Sequence, residues 1–240
     1  MDTYTSLLVD ELDALGIPCT SDQAALLLKH LGLVIETNKT TNLTRIDTLE
    51  QGIYLHLIDS IICSRSIGAL PHHQSVLDLG TGGGFPGIPL AIMLGSETTL
   101  LDSIGKKVAA VSSFIHKLGL DDRCHAICSR SEELALKMPC SFNVIVARAV
   151  AQTNVLVEYA APLLIDGGML CTWKANIDDD EIAAAERAAA ICGMSIVSRE
   201  TYELPKSFGH REIIYIEKTG EPKIKLPRRN GIATKRPLGL

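Results

Sequence analysis

The chain has 240 residues, a net charge of −5, 46% hydrophobic and only 4% aromatic residues. That suits one α/β domain with an extension, with a core built mostly of Leu, Ile, Val and Ala. No run of roughly 18 apolar residues occurs, and Met1-Asp2-Thr3-Tyr4 does not open a signal peptide, so neither a membrane span nor export is expected.

Seven cysteines are scattered without a Cys-x-x-Cys pair; Cys124 and Cys128 are the closest. This pattern predicts reduced thiols in the cytoplasm, with neither a metal site nor a disulfide set. Residues 3–15 alternate apolar and acidic positions at helical spacing, and Gly16-Ile17-Pro18 ends that helix. Ser21-Asp22-Gln23 is expected to cap a second helix over residues 24–36, with Leu27, Leu28, Leu31, Val34 and Ile35 on its apolar face. Residues 38–44 read as a polar loop. Residues 49–67 predict a third helix that keeps Ile53, Leu57, Ser60, Ile61 and Ser64 near one side. Residues 1–70 are therefore expected to form an N-terminal helical cap, joined by a short linker near His72-His73-Gln74.

From Ser75 the pattern alternates strand and helix, which predicts a mostly parallel, Rossmann-like sheet over residues 71–218. Strands are expected at residues 75–79, 97–101, 123–128, 142–147 and 168–174. Helices are expected at residues 88–94, 104–118, 155–164 and 178–192. Two further apolar runs, 194–203 and 211–217, have no helix between them and predict a closing antiparallel hairpin. Residues 217–240 carry seven Lys or Arg against two Glu, net +5, which leaves −10 on residues 1–216. A basic, proline-containing tail (residues 219–240) on an acidic body suggests contact with a polyanion, and Arg228, Arg229, Lys235 and Arg236 are its candidate phosphate ligands. A solvated terminus is the plainer alternative.

The most informative stretch is SVLDLGTGGGFPGIPLAI, residues 75–92. A buried strand, a glycine turn and an apolar helix make a βα unit whose loop lets a ligand approach backbone. Gly82, Gly84 and Gly87 satisfy the dinucleotide pattern G-x-G-x-x-G. Gly80-x-Gly82-x-Gly84 preceded by Asp78 instead resembles motif I of the class I S-adenosylmethionine (SAM) methyltransferases. Asp102 ends the second strand, where a carboxylate can accept ribose hydroxyls of either adenosine ligand or cap the next helix. Ser131 and Glu132 follow the third strand. They can meet an adenine edge, or Ser129 and Glu132 can form a capping box. Arg148 follows the fourth strand at the carboxyl edge of the sheet, where it can pair with a ligand carboxylate, an RNA phosphate or an acidic side chain. His56 and Asp59 share one helical face, as a catalytic or, more plainly, a half-buried structural pair.

Asn42-Leu43-Thr44, HLIDS (56–60), DLGTGGGFPGIP (78–89), LDSIGKK (101–107), Arg148-Ala149-Val150 and PRRNGIATKRP (227–237) together resemble the RsmG family, formerly glucose-inhibited division protein B. The resemblance runs from the N-terminal helices to the last residues. It implies a SAM domain under a helical cap, and methyl transfer to guanine N7 in 16S ribosomal RNA, free or in a partly assembled small subunit. It implies cofactor contacts from Gly80, Phe85, Ser131 and Glu132, with Arg148 near the reacting group; Asp78, Gly82 and Asp102, from the glycine loop and the end of the second strand, complete the expected cofactor-binding set together with Arg148. Serine at 131 and Ala175 after Lys174 depart from the family's usual alanine and glycine. A cytoplasmic monomer without metal is expected. An NAD(P)-binding oxidoreductase and a catalytically silent RNA-binding protein are the alternative readings.

Overall fold

Alternate residues of the central strands fall on two faces of one sheet, and both faces are apolar. The computed structural model describes residues 2–69 and 75–240; the linker expected at His72-His73-Gln74 lies outside the described residues. The strands are β1 (Ser75–Leu79), β2 (Glu97–Asp102), β3 (Cys124–Cys128), β4 (Phe142–Arg148), β5 (Leu164–Lys174), β6 (Met194–Leu204) and β7 (Gly209–Lys218). Their order is β3-β2-β1-β4-β5-β7-β6. β1 to β5 run parallel, and β7 is antiparallel to both β5 and β6. The order reverses between β1 and β4, so the crevice outside their carboxyl ends is where this architecture takes a ligand.

One face contributes Val76, Leu100, Val144, Val146, Cys171, Trp173 and Ile213 to a core shared with Leu27, Leu31, Val34, Ile53, Leu57 and Ile61. The N-terminal helices are thus continuous with the sheet's own core. The opposite face, with Leu77, Leu101, Ile145, Leu170 and Ile214, packs against Leu156, Val157, Ala160, Ala188 and Cys192. Two apolar faces explain why these strands read as continuous hydrophobic runs.

The structure moves several expected boundaries. The second helix spans Ser21–Asn38, and its N-cap is Thr20: Thr20 Oγ1 accepts from Gln23 N, and Gln23 Oε1 accepts from Thr20 N, a complete capping box. β5 starts at Leu164, not 168, because Leu164 pairs with Phe142 across a register shift. The expected helix over 49–67 is divided. Leu49–Gly52 runs into a π-wound segment, Ile53–Ile58, then Asp59–Ile61 and a separate turn, Ser64–Gly68. Side chains from the sheet take carbonyls of this helix: Arg148 Nη1 donates to Leu55 O (3.2 Å), and Trp173 Nε1 donates to Asp59 O (2.9 Å). Such insertions displace the ordinary ladder, and π-turns gather at functional sites.

The C-terminal residues are docked onto the body. Leu226 and Leu238 pack against the second core face. Ala233, on the short helix Ile232–Lys235, is 1% exposed. Asn154 Nδ2 donates to Leu238 O and Arg187 Nε to Gly239 O. A tail standing free in solvent is therefore replaced by one that covers the helices Thr153–Ala160 and Asp179–Cys192.

Gly87 opens the helix Gly87–Leu94 directly over β1 and β2. A Cβ there would lie 2.5 Å from Leu100 Cδ2 and 2.7 Å from both Cβ and Oδ2 of Asp78. Gly87→Ala should therefore lower the unfolding free energy by about 1–3 kcal/mol, as overpacking does, read from urea midpoints.

Candidate active site

Asp78 ends inside the molecule, 0% exposed. Its Oδ2 accepts from Thr81 Oγ1 (2.6 Å) and from Gly87 N (2.9 Å), so this carboxylate ties the beginning of the glycine loop to its end. Burial pushes its pKa up to about 6, against the pull of those two donors and of Arg148. Its Oδ1 is buried without a partner among the described residues. Asp78 thus acts on the crevice through the loop that it shapes. Gly80 sits at φ +80°, and a Cβ on it would lie 2.5 Å from Val150 Cγ2. Glycine there is required by both backbone and space. Gly80 N and Thr81 N donate to Leu101 O, which pins the loop to the end of β2.

Beside the loop lies a cleft of about 360 Å³, lined by Gly80, Asp102, Ser131, Glu132, Val150 and Tyr159, with Thr234 from the C-terminal segment. Its size is within the range of small-molecule sites. Asp102 is 7% exposed; Oδ2 accepts from Gly82 N (3.1 Å) and Oδ1 from Ile104 N (2.9 Å). It caps the next turn, one of the two roles that its position allowed, and also fixes the glycine loop. Ser131 and Glu132 begin the helix Ser131–Lys137, and Ser131 Oγ donates to Glu132 Oε2 (3.2 Å). The capping box between Ser129 and Glu132 does not form: Ser129 Oγ reaches Glu133, and Glu132 Oε1 accepts from Gly231 N (2.8 Å).

A second cavity, about 300 Å³, is lined by Leu55, His56, Asp59, Arg148, Trp173, Lys174 and Arg211. Ala149 lines both cavities, at φ +57°. The residue that follows β4 is thus part of the wall of both. A non-glycine residue in that region is strained, a feature that collects at functional turns.

His56 and Asp59 are joined through Arg148 rather than to each other. Arg148 Nη1 meets Asp59 Oδ2 (2.8 Å), and Arg148 Nη2 donates to His56 Nδ1 (3.2 Å). Asp59 Oδ1 takes a second arginine, Arg211 Nε (2.9 Å). Because arginine only donates, His56 Nδ1 is the acceptor and its proton sits on Nε2, 2.8 Å from Thr44 Oγ1. Burial, and then the Arg148 charge and His30, drive the His56 pKa down to about 3. Phe85 lies parallel to the His56 ring at 4.4 Å, with the Arg148 guanidinium 5.6 Å from its centroid and the tilted His30 ring at 4.5 Å. Lys174 is held by Glu181 (2.6 Å). The basin thus sets the cations Arg148, Lys174 and Arg211 in a mostly apolar wall, with its imidazole and its carboxylate both engaged.

Thr44 and Ala149 lie in the short motifs Asn42-Leu43-Thr44 and Arg148-Ala149-Val150, whereas Arg211, Trp173 and Tyr159 carry no motif of their own in the sequence. Arg211 has one legible signal, a charged residue opening the apolar run REIIYI. Of the four candidate phosphate ligands in the tail, Arg228 is bound to Glu158, which is 3% exposed, by a two-point contact. Arg229, Lys235 and Arg236 are exposed.

The family model for rRNA small subunit methyltransferase G (GidB) matches residues 23–208. A ribosomal RNA small subunit methyltransferase G from Desulforamulus reducens is 33% identical over 99% of this chain and 100% of its own length. The one from Gloeobacter violaceus is 39% identical over 86% of this chain and 83% of its own. In three dimensions, the O-methyltransferase from Bacillus cereus in complex with SAH superposes with a TM-score of 0.58 at 20% identity, over 91% of this chain and 99% of that one. The glycine loop, the cleft beside it and matches running nearly end to end agree, and the chain belongs to the rRNA small subunit methyltransferase G family.

Proposed function

We propose that this chain is a SAM-dependent methyltransferase that modifies N7 of a guanine in 16S ribosomal RNA. The observation that carries this reading is the nucleoside-sized cleft beside the glycine loop, which shares the wall residue Ala149 with a basin whose imidazole and carboxylate are both engaged. The residues present fit SAM. Asp102 offers carboxylate oxygens at the cleft wall, the place where ribose hydroxyls are bound in such sheets. Ser131 and Glu132 flank the adenosine end, and the backbone of Gly80 and Gly82 leaves room for close approach. Arg148 lines the basin, and Phe85 stacks on His56, which lines it too. Asp78 contributes by holding the loop. When bound, SAM supplies a methyl group made electrophilic by its sulfonium.

The protein's own task is then placement. Guanine N7 presents a lone pair in the ring plane and bears no proton, so the nucleophile needs no base. His56 is neutral with both nitrogens engaged, and Asp59 is neutralised by two arginines. These groups shape the basin and cannot remove a proton. Holding nitrogen and methyl carbon in line at near-attack distance is what remains for catalysis. N7 lies on the major-groove edge, which is deep and narrow in A-form RNA, so the target is a loop or a distorted helix. Arg229, Lys235 and Arg236 supply exposed cations beside the cleft for phosphate contact. Seven free cysteines, four of them buried, suit a reducing cytoplasm, and the chain acts there as a monomer.

Three outcomes test this reading. Digesting RNA incubated with protein and SAM should release 7-methylguanosine, with a rate flat from about pH 6 to 8 because no base titrates. A steep rise with pH that vanishes in His56→Ala would overturn it. Asp102→Ala should weaken SAM binding by roughly 1.5–3 kcal/mol, measured by calorimetry. Because Asp102 also holds Gly82 N and Ile104 N, it should cost stability as well, so Asp102→Asn is the companion variant. Replacing Arg229, Lys235 and Arg236 with alanine should reduce the log–log salt slope of RNA binding by about 0.7–0.9 for each phosphate no longer neutralised, with SAM affinity unchanged.

A further inference from the structure

The C-terminal segment makes its contacts at the adenosine end of the cleft, and they are internal. Gly231 N donates to Glu132 Oε1 (2.8 Å), and Asn230 Nδ2 donates to Glu133 Oε1 (2.6 Å). Two consecutive carboxylates of the helix Ser131–Lys137 are thus occupied by two consecutive tail residues. At the other end, Arg228 grips Glu158, next to Tyr159 of the cleft wall. Arg228 Nη2 also donates to Arg236 O (2.9 Å), which closes residues 228–236 into a ring. Thr234 stands on that ring and faces the cleft. Ala233 is buried beneath it, and Leu226 and Leu238, both half-buried, pack its two flanks against the core.

We propose that residues 226–239 are a structural wall of the SAM cleft, and that Arg228 is a positioning residue for the cofactor, not a ligand of RNA. The proposal rests on the reading that SAM occupies the Gly80–Asp102–Glu132 cleft. Arg228 acts through two links. The Glu158 pair fixes where the ring lies, and the ring delivers the Gly231 amide to Glu132. That amide orients the Glu132 carboxylate and offsets part of its charge. Without it, a 6% exposed carboxylate loses a donor and must turn toward solvent or toward the cleft. The same arrangement makes cofactor and tail thermodynamically coupled: whatever the docked tail adds to SAM affinity, bound SAM must return as tail docking.

The test uses the full chain. Arg228→Met keeps the aliphatic stem and removes the pair; Glu158→Gln weakens it from the other side. Each should raise the calorimetric Kd for SAM by roughly five- to 150-fold, the usual span of such coupling. At saturating SAM, kcat should stay within twofold, and the salt slope of RNA binding should equal that of the wild type. A merely structural role would leave SAM affinity alone in the folded variants. A true phosphate ligand would change the salt slope and spare SAM. Either result overturns the proposal. Hydrogen exchange on the unaltered protein avoids the risk of misfolded variants: adding SAM should slow amides across residues 226–239, Gly231 foremost, and unchanged exchange there refutes the coupling. Asp102→Ala separates the two layers. If it weakens SAM binding and Arg228→Met does not, only the wall is wrong; if neither does, the cofactor is elsewhere.

Discussion

The carboxylate of Asp59 joins three parts of the chain that are far apart in sequence. It follows the π-wound turn of the N-terminal helices and receives Arg148 from the end of β4 and Arg211 from β7. Its side chain is 6% exposed, and those of the arginines 13% and 17%. Removing one member would leave buried charge uncompensated, a loss of about 3–5 kcal/mol in comparable buried pairs. The cluster gains more in geometry than in net stability. It fixes the helix against the sheet edge, and with it the floor of the basin: His56, Phe85 and Trp173 all take their places from Arg148 or Asp59.

The same constraint bears on the chemistry. An imidazole and a carboxylate in an active-site basin usually suggest acid–base catalysis. Here the arginines consume both. His56 gives its only lone pair to Arg148 and its proton to Thr44, and Asp59 is held from two sides. A basin so built suits a nucleophile that already has a free lone pair. Guanine N7 is such an atom, which is why the proposed reaction and the exhausted base agree.

Charge is also used differently than its distribution along the chain suggests. The acidic body and basic C-terminus look like separate surfaces, one repelling and one attracting nucleic acid. In the folded chain part of that contrast is internal, since Arg228 meets Glu158, and the backbone and amide donors of Gly231 and Asn230 meet Glu132 and Glu133. Three of the tail's cations, Arg229, Lys235 and Arg236, remain directed outward.

Sequence by itself determined the strands, the closing hairpin and the glycine loop. Each depends on near neighbours: apolar runs two-sided enough to be buried, a missing helix between the last strands, glycines where the turn admits no Cβ. It also placed Asp78, Asp102, Ser131, Glu132 and Arg148 at the carboxyl ends of strands, because a βα unit puts them there whatever surrounds it. The partners of those residues depended on the tertiary structure. Arg211 comes from a strand 63 residues beyond Arg148, and Trp173, Thr44 and Glu158 reach the site from other elements. The π-turn and the docked tail have the same origin. Both arise where a side chain from one element satisfies the backbone or carboxylate of another, and local periodicity contains no term for a contact of that range.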